Sequence, residues 1–239
     1  MALLFIEING NPQKGVLVMA KVIGILGGLG PQTTAKFYLR LVELCTRATR
    51  PAISIWNLPL NLKKESEYIR FGKHKRHYLT LLKAGLEALK RAGSDFVVIP
   101  CNTVHEFYDA LVGLVSVPVV NLIEVVAEEA KSKKWNKILL LATSQTVKAG
   151  LYQGPLEKRE VEIVLPSQDD QTRLDGLVQE LLDDKENALV HRQFLQTLID
   201  RSGCNHVVLG CTDLQLVFPA GASSIDSMEA LAKHTATLL

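Results

Sequence analysis

Short runs of apolar residues alternate with longer segments of helical periodicity along most of the chain. The apolar runs are rich in Val, Ile and Leu and have the length of buried strands, at residues 21–27, 52–57, 95–100, 117–120, 137–142, 161–165 and 205–210. Helical patterns fall near residues 32–48, 73–92, 104–114, 122–134, 170–183, 187–202 and 227–238. This alternation is typical of βα units around mainly parallel sheets and predicts an α/β fold.

Two stretches of the chain resemble each other without gaps. Residues 91–101 (RAGSDFVVIPC) align with residues 201–211 (RSGCNHVVLGC), and a weaker match joins residues 21–27 to residues 137–143. The repetition predicts two similar α/β domains with the active site in the cleft between them. We expect residues 21–117 plus 220–239 in the first domain and residues 118–219 in the second, with residues 1–20 as an N-terminal extension.

A cysteine follows each of the two repeated strands. Open α/β sheets bind ligands at the carboxyl ends of their strands, so two facing domains would bring Cys101 and Cys211 to one cleft. The helix start after Cys101 favours a reactive thiolate. A buried cysteine often only fills space, but the repetition of Cys followed by small hydrogen-bonding residues favours a functional pair.

Two thiols without an obvious third partner suit proton transfer at carbon. One thiolate would remove a Cα proton from one face of the substrate, and the other thiol would donate a proton to the opposite face. The substrate carboxylate must then accept carbanion charge, which requires hydrogen-bond donors. Asn102, Thr103, Thr212 and the backbone N–H groups at helix starts supply them.

The glycine-rich segment 27–34 (GGLGPQTT) follows the first predicted strand. Its N–H groups could hold a small carboxylate, with Gly28 and Leu29 against the substrate. A dinucleotide site is the second interpretation, but the glycine spacing fits poorly and no acidic residue follows about twenty residues later. A plain tight turn with Pro31 at the first helical position is the third.

Two polar residues near the cysteines have alternative roles. His105 lies one turn past Cys101 and either orients or charges the thiol, or caps and packs its own segment. Asp213 either relays a proton near Cys211 or caps the helix that follows.

No metal site is predicted. The spacing of Cys204, His206 and Cys211 matches no zinc pattern, and strand alternation places His206 and Cys211 on opposite faces.

Composition narrows the class of protein. The 27 Lys and Arg against 25 Asp and Glu leave a net charge of +2, scattered along the chain, which argues against a nucleic-acid partner. No apolar stretch reaches the roughly 18 to 20 residues of a membrane span. Four cysteines lack the density of a secreted disulfide scaffold, so we expect reduced thiols and a cytoplasmic protein.

Three motifs together carry a resemblance to a known family. Residues 27–34 (GGLGPQTT), 100–105 (PCNTVH) and 210–213 (GCTD) resemble the aspartate/glutamate racemase family, in order and over about residues 21 to 230. The resemblance implies a racemase of a small-molecule amino acid that needs no cofactor, has two similar α/β domains and often forms a homodimer. It also implies Cys101 and Cys211 as the catalytic pair.

The resemblance assigns further residues and shows departures. It implies that Asn102, Thr103 and Thr212 bind the substrate carboxylate or amine, and that Thr143 lines the pocket. Residues 62–65 (LKKE) stand where strict aspartate racemases offer an Arg to the side-chain carboxylate, so Lys64 would substitute without the bidentate fork.

Three other differences concern the pocket. A second basic residue of those enzymes aligns near Leu182, Leu29 replaces a frequent Met, and Asp213 replaces a frequent Glu. The absence of the Arg and of the second basic residue argues against strict aspartate specificity, whereas Leu29 and Asp213 are milder changes in the shape and reach of the pocket. Aspartate or glutamate is the expected substrate, with a broader range left open.

Other functions stay open at this point. A hydantoin racemase or a malonate decarboxylase would use the same scaffold for a related carbon acid. Outside catalysis, the cleft could bind a carboxylate without turnover, or Cys101 and Cys211 could form a redox switch.

Overall fold

A computed structural model describes residues 21–45, 50–183, 187–219 and 221–239. The expected extension at residues 1–20 lies outside them. The strands are β1 (Val22–Gly27), β2 (Ala52–Asn57), β3 (Phe96–Val98), β4 (Lys137–Leu141), β5 (Glu162–Val164), β6 (Val207–Leu209) and β7 (Ser224–Asp226).

Helices connect and cover these strands. They are α1 (Pro31–Leu44), α2 (Leu62–Phe71), α3 (Lys75–Arg91), α4 (Tyr108–Val112), α5 (Leu122–Ser132), α6 (Ser144–Lys148), α7 (Gln153–Glu157), α8 (Gln168–Leu182), α9 (Ala188–Ser202) and α10 (Ser227–Thr237). Short 3-10 helices cover Thr103–Phe107 and Leu214–Leu216.

The described strands form two parallel sheets with equivalent connectivity. The first sheet has the order β2-β1-β3, and the second has the order β5-β4-β6-β7. A single parallel bridge between Val97 and Val119 occupies, beside β3, the place that β7 occupies beside β6. The α/β fold class with mainly parallel sheets is therefore confirmed, and each half follows the same path.

The repeated strands also bury equivalent side chains in equivalent directions. Val98 and Val208 both contribute to a core cluster shared by the two sheets. Val97 packs on the outer face of the first sheet, and Val207 packs on the outer face of the second. Because side chains alternate along a strand, this match fixes the register of the repeat. Cys101 and Cys211 therefore follow structurally equivalent strands.

Helices α1, α5 and α10 join the two halves. Their apolar side chains lie in the shared core with Ile23 and Ile25 of the first sheet and Ile138 and Leu140 of the second. Arg40 on α1 donates two hydrogen bonds to the carboxylate of Glu229 on α10, each 2.7 Å long. The last helix is thus held against the first half of the chain.

Some expectations need correction. The run at 117–120 forms only the Val119 bridge, because Pro118 has no N–H to donate to a ladder. Strand β7 was not predicted, and its pairing with β6 places residues 224–226 in the second sheet although the sequence assigned 220–239 to the first domain. Helix α10 packs on α1 as expected. The domain boundaries themselves stay a prediction.

Helices α2, α6 and α7 were also absent from the expected elements. Across the described ranges no helix is long and apolar enough to cross a membrane. No group of three or more His, Cys, Asp or Glu side chains in those ranges could hold a metal ion.

Candidate active site

The carboxyl ends of the repeated strands meet at a small cavity between the two halves. Its walls come from both repeats and from α2, α3 and α8: Leu29, Glu65, Tyr68, Ile69, Tyr78, Cys101, Asn102, Thr103, Val104, Thr143, Val178, Leu182, Cys211, Thr212 and Asp213. The cavity leaves about 20 Å³ for the centres of water molecules. This is room for one or two waters and is less than an amino acid occupies. The walls must separate for an amino acid to enter.

Cys101 lies between β3 and the 3-10 helix that starts at Thr103. The residue as a whole is partly exposed, and its thiol receives hydrogen bonds from the backbone N–H groups of Thr103 and Val104, which favour the thiolate. Burial outweighs them and raises the pKa of Cys101 to about 12, with Asp213 and Glu65 adding negative charge nearby. In this arrangement burial favours the thiol form of Cys101, against the thiolate that the helix start alone would favour.

Cys211 is the more deeply buried of the two thiols. Burial, together with the charge of Asp213, raises its pKa well above the usual value. Its Sγ lies 3.8 Å from Oδ2 of Asp213, and the Thr33 hydroxyl donates to Oδ1 of the same carboxyl at 2.5 Å. The Asp213 side chain makes no cap to the helix that follows it, so its contacts favour the proton-relay interpretation.

Burial also raises the pKa of Asp213 itself, to about 6. The hydrogen bonds from Thr33 and Cys211 oppose this shift, because they stabilise the charged form. Asp213 is therefore a carboxylate at neutral pH. Its Oδ2 is an acceptor within reach of the Cys211 thiol.

Hydroxyl groups from both halves meet at one side of the cavity. The Oγ1 atoms of Thr103, Thr143 and Thr146 lie 3.0 to 3.1 Å from one another. Thr143 also caps α6 by accepting the N–H of Thr146. The expected pocket residues Thr103 and Thr143 are thus brought together, with their hydroxyl orientations fixed by a third threonine.

Asn102 is held from two sides. Its Oδ1 accepts a 2.5 Å hydrogen bond from the Tyr152 hydroxyl, and its Nδ2 donates to Oγ of Ser227 at 2.9 Å. An amide carries two N–H groups, so one stays available for a ligand. The structure therefore places Asn102 in the cavity wall in a fixed orientation, in keeping with the expected role as a donor.

His105 positions the backbone of Cys101. Its Nε2 faces the backbone N–H of Leu122 at 3.1 Å, and its Nδ1 lies 2.7 Å from the carbonyl oxygen of Cys101. A backbone N–H can only donate, so Nε2 is the acceptor and Nδ1 carries the proton. Burial lowers the pKa of His105 to about 4. His105 therefore orients the cysteine loop and does not charge the thiol.

The glycine-rich segment, residues 27–34, lies beside Asp213, near Cys211. Gly28 has a φ of +86°, and its N–H donates to Oγ1 of Thr34. Gly30 has a φ of +92°, and a Cβ there would lie 2.5 Å from Oδ1 of Asp213. Leu29 lines the cavity, whereas Gly28 shapes the turn behind it.

The expected side-chain ligand Lys64 is not part of the cavity wall. Lys64 is half-buried at the start of α2, where its backbone N–H is capped by Asn61. The next residue, Glu65, points inward, is only 6% exposed and lines the cavity. Sequence reasoning missed Glu65 together with Tyr68, Tyr78 and Thr33, because only tertiary packing brings α2 and α3 over the cleft.

The family of the chain follows from its sequence over nearly its whole length. The sequence profile described as "Asp/Glu/Hydantoin racemase" matches residues 26–235. The chain belongs to this racemase family. The match includes every cavity-lining residue, and it confirms the resemblance and the expectation of an isomerase of the amino-acid racemase type.

Individual members of the family are similar in sequence to this chain over most of its length. The broad specificity amino-acid racemase RacX of Bacillus subtilis (strain 168) is 27% identical over 227 residues, which cover 90% of this chain and 96% of the relative. A crystal structure of an aspartate racemase homologue from Pyrococcus horikoshii OT3 is 28% identical, with a TM-score of 0.72 and coverage of 92% and 99%.

A third comparison concerns the fold alone. The aspartate racemase of Picrophilus torridus is 24% identical, with a TM-score of 0.74 over 91% of this chain and 94% of that one. The similarity to this structure shows a shared fold.

Proposed function

We propose that the chain racemises an α-amino acid by moving the Cα proton between Cys101 and Cys211, without pyridoxal phosphate. The observation that carries this proposal is the convergence of both thiols, from equivalent strand ends, on one closed cavity. Of the described residues in the cavity wall, none is a lysine that could hold pyridoxal phosphate as a Schiff base.

The proposed reaction begins with formation of one thiolate. For Cys211, the carboxylate of Asp213 accepts the thiol proton, and the substrate ammonium brings positive charge into the cavity. The thiolate removes the Cα proton and the electron pair of the C–H bond passes into the substrate carboxylate. The Cys101 thiol then donates its proton to the opposite face, which inverts the centre. The turnover leaves Cys101 as the thiolate and Asp213 protonated; after product release, solvent returns a proton to Cys101 and takes one from Asp213. The reverse direction starts from the Cys101 thiolate and uses the Cys211 thiol as the donor.

Stabilisation of the carbanion needs donors at the substrate carboxylate. The remaining N–H of Asn102 is one such donor, and the backbone N–H of Thr212, which lines the same cavity, is proposed as a second. The hydroxyl hydrogens of Thr103, Thr143 and Thr146 are used in their three mutual hydrogen bonds, which hold this side of the cavity in place. Preorganised donors of this kind stabilise developing charge because they need no reorientation during the reaction. The raised pKa of each thiol also makes the corresponding thiolate a strong base.

The test is racemisation by purified, reduced protein with a panel of amino acids, followed by chiral chromatography. Cys101→Ser and Cys211→Ser are expected to lose activity by about a hundredfold or more, the usual contribution of a positioned acid or base. Cys204→Ser is the matched control, since Cys204 is a buried cysteine outside the cavity. Full activity in both active-site variants would refute the proposal. If the protein turns over only a hydantoin or a malonate, the reaction of this site is that of a related carbon-acid enzyme and not amino-acid racemisation.

We also propose a cytoplasmic homodimer. Two catalytic thiols require a reducing compartment, and large apolar side chains are exposed at Tyr38, Leu39, Ile55 and Trp56. Light scattering is expected to give twice the chain mass of 26.4 kDa. A monomer mass at micromolar concentration would contradict the dimer.

A further inference from the structure

Glu65 and Tyr78 form a part of the cavity wall that the proton transfer does not use. Glu65 lies on α2 and Tyr78 on α3, and neither helix carries a catalytic cysteine. Both side chains are buried, with exposures of 6% and 1%. The Tyr78 ring stacks on Tyr68, with their ring centroids 4.1 Å apart.

The polar atoms of this pair lack protein partners. The Tyr78 hydroxyl is buried without a hydrogen bond. Among the described residues, no hydrogen bond or salt bridge engages the Glu65 carboxyl, and none contributes to its pKa. Buried polar groups are normally paired, and exceptions mark places where a ligand or water completes the structure.

The charges that act on Glu65 from the described residues are negative. Burial, with added repulsion from Asp213 and Asp183, raises the pKa of Glu65 to about 7. In the described cavity wall there is no Lys or Arg, and Lys64 is not among the lining residues. A substrate carboxylate brought to this place would meet two acidic groups, whereas a cation would relieve their repulsion.

Apolar residues lie next to Glu65 in the same wall. Ile69, one turn further along α2, packs in one cluster with Val178, and Leu182 packs against that cluster from the end of α8. All three line the cavity. An aliphatic chain would pack against them and carry a polar end group to the Glu65 carboxyl.

We propose that Glu65, assisted by the Tyr78 hydroxyl, binds the end of the substrate side chain and selects amino acids with an aliphatic ammonium side chain, such as ornithine and lysine, over aspartate and glutamate. This inference rests on the proposed racemisation and names its substrate class. The Glu65 carboxylate binds the side-chain ammonium, and the Ile69, Val178 and Leu182 side chains contact the methylene groups.

The test measures kcat and KM for ornithine, lysine, glutamate, aspartate and norleucine, which has the lysine chain length without the ammonium. The wild-type protein is expected to favour ornithine or lysine over glutamate. Glu65→Gln keeps the shape and removes the charge, and is expected to lower kcat/KM for ornithine and lysine about 100-fold, mainly through KM. The kcat/KM of this variant for norleucine should change little.

Two further variants serve as a control and as a test of the tyrosine hydroxyl. Glu67→Gln is the matched control, because Glu67 lies on the same helix, pairs with His74 at 2.5 Å and is outside the cavity. It should leave every kinetic parameter unchanged. Tyr78→Phe should raise the KM for ornithine about fivefold, which corresponds to the loss of one neutral hydrogen bond.

Several outcomes would overturn the inference. A wild-type preference for aspartate, glutamate or norleucine would do so while leaving the racemisation intact. An equal loss for ornithine and norleucine in Glu65→Gln would place Glu65 at the α-ammonium instead. Absence of racemisation across the whole panel would refute the proposed function and this inference with it.

Discussion

Thr212 donates a hydrogen bond from its hydroxyl to the carbonyl oxygen of Pro100, at 3.1 Å. Thr212 follows one cysteine in the chain and Pro100 precedes the other. The bond is buried and joins the two cysteine loops directly, so it fixes their relative position across the cleft.

Thr212→Val should therefore impair catalysis more than stability. The substitution keeps the shape and leaves the Pro100 carbonyl without its partner, at a cost of about 1 to 3 kcal/mol in the free energy of unfolding. We expect kcat to fall about tenfold or more, because small misalignments of reacting groups greatly slow the reaction. Thr172→Val, which removes an exposed hydroxyl bonded to its own helix, is the control. An unchanged kcat would mean that the bond does not align the loops.

Gly30→Ala tests the contact between the glycine-rich turn and Asp213. The added Cβ would lie 2.5 Å from Oδ1 of Asp213 and would displace the carboxyl group. We expect kcat to fall about 100-fold. Gly93→Ala is the control, since Gly93 also has a positive φ, +82°, but open space around its Cβ position. Both variants should lose roughly 1 to 2 kcal/mol of stability from backbone strain. Equal activities would show that the contact has no catalytic consequence.

His105→Gln tests the role of a neutral imidazole. The folded pKa of His105, about 4, lies below the unfolded value of about 6.5, so its stabilising contribution is complete above pH 6.5. It is lost as the pH falls towards 4. At pH 8 the variant should be about 2 kcal/mol less stable. In urea unfolding, the difference between the two proteins should shrink from pH 6.5 to pH 4.

The comparison of wild type with the variant isolates His105. The buried carboxyls of Asp213, Asp226 and Glu65 have raised pKa values and contribute the opposite pH dependence, but they do so in both proteins. A difference that grows on acidification would show that His105 is charged in the folded protein.

Asp213 should set the acidic limb of the activity profile. Its pKa is about 6, and only the carboxylate can accept the thiol proton of Cys211. With norleucine as substrate, kcat/KM should fall as the pH drops through about 6. Asp213→Asn should lower activity about 100-fold and abolish this limb, whereas Glu65→Gln should retain it. Persistence of the limb in Asp213→Asn would assign it to another group.

The repeat explains why the fold and the cysteine pair could be predicted from the sequence. Strand alternation is local, and a gapless match of residues 91–101 with residues 201–211 carries the burial pattern of one strand onto the other. The shared direction of Val98 and Val208 follows from this match. Two cysteines after equivalent strands then fall at equivalent sheet edges.

The specificity side of the site could not be predicted in this way. Adjacent residues on a helix point about 100° apart, and it is Glu65, not Lys64, that lines the cavity. The direction depends on the packing of Ile69 against the second half, which no local pattern encodes. Strand β7 was missed because three residues, two of them polar, give no alternation signal.

Exchange of the Cα proton by single-cysteine variants tests the two-base reaction most directly. Each enantiomer of the best substrate is incubated in deuterium oxide with Cys101→Ser or Cys211→Ser, and Cα deuteration is followed by NMR. We predict that each variant exchanges one enantiomer only, that the two variants select opposite enantiomers, and that neither racemises. Exchange of both enantiomers by either variant would contradict the account, because a single thiol would then reach both faces of the substrate.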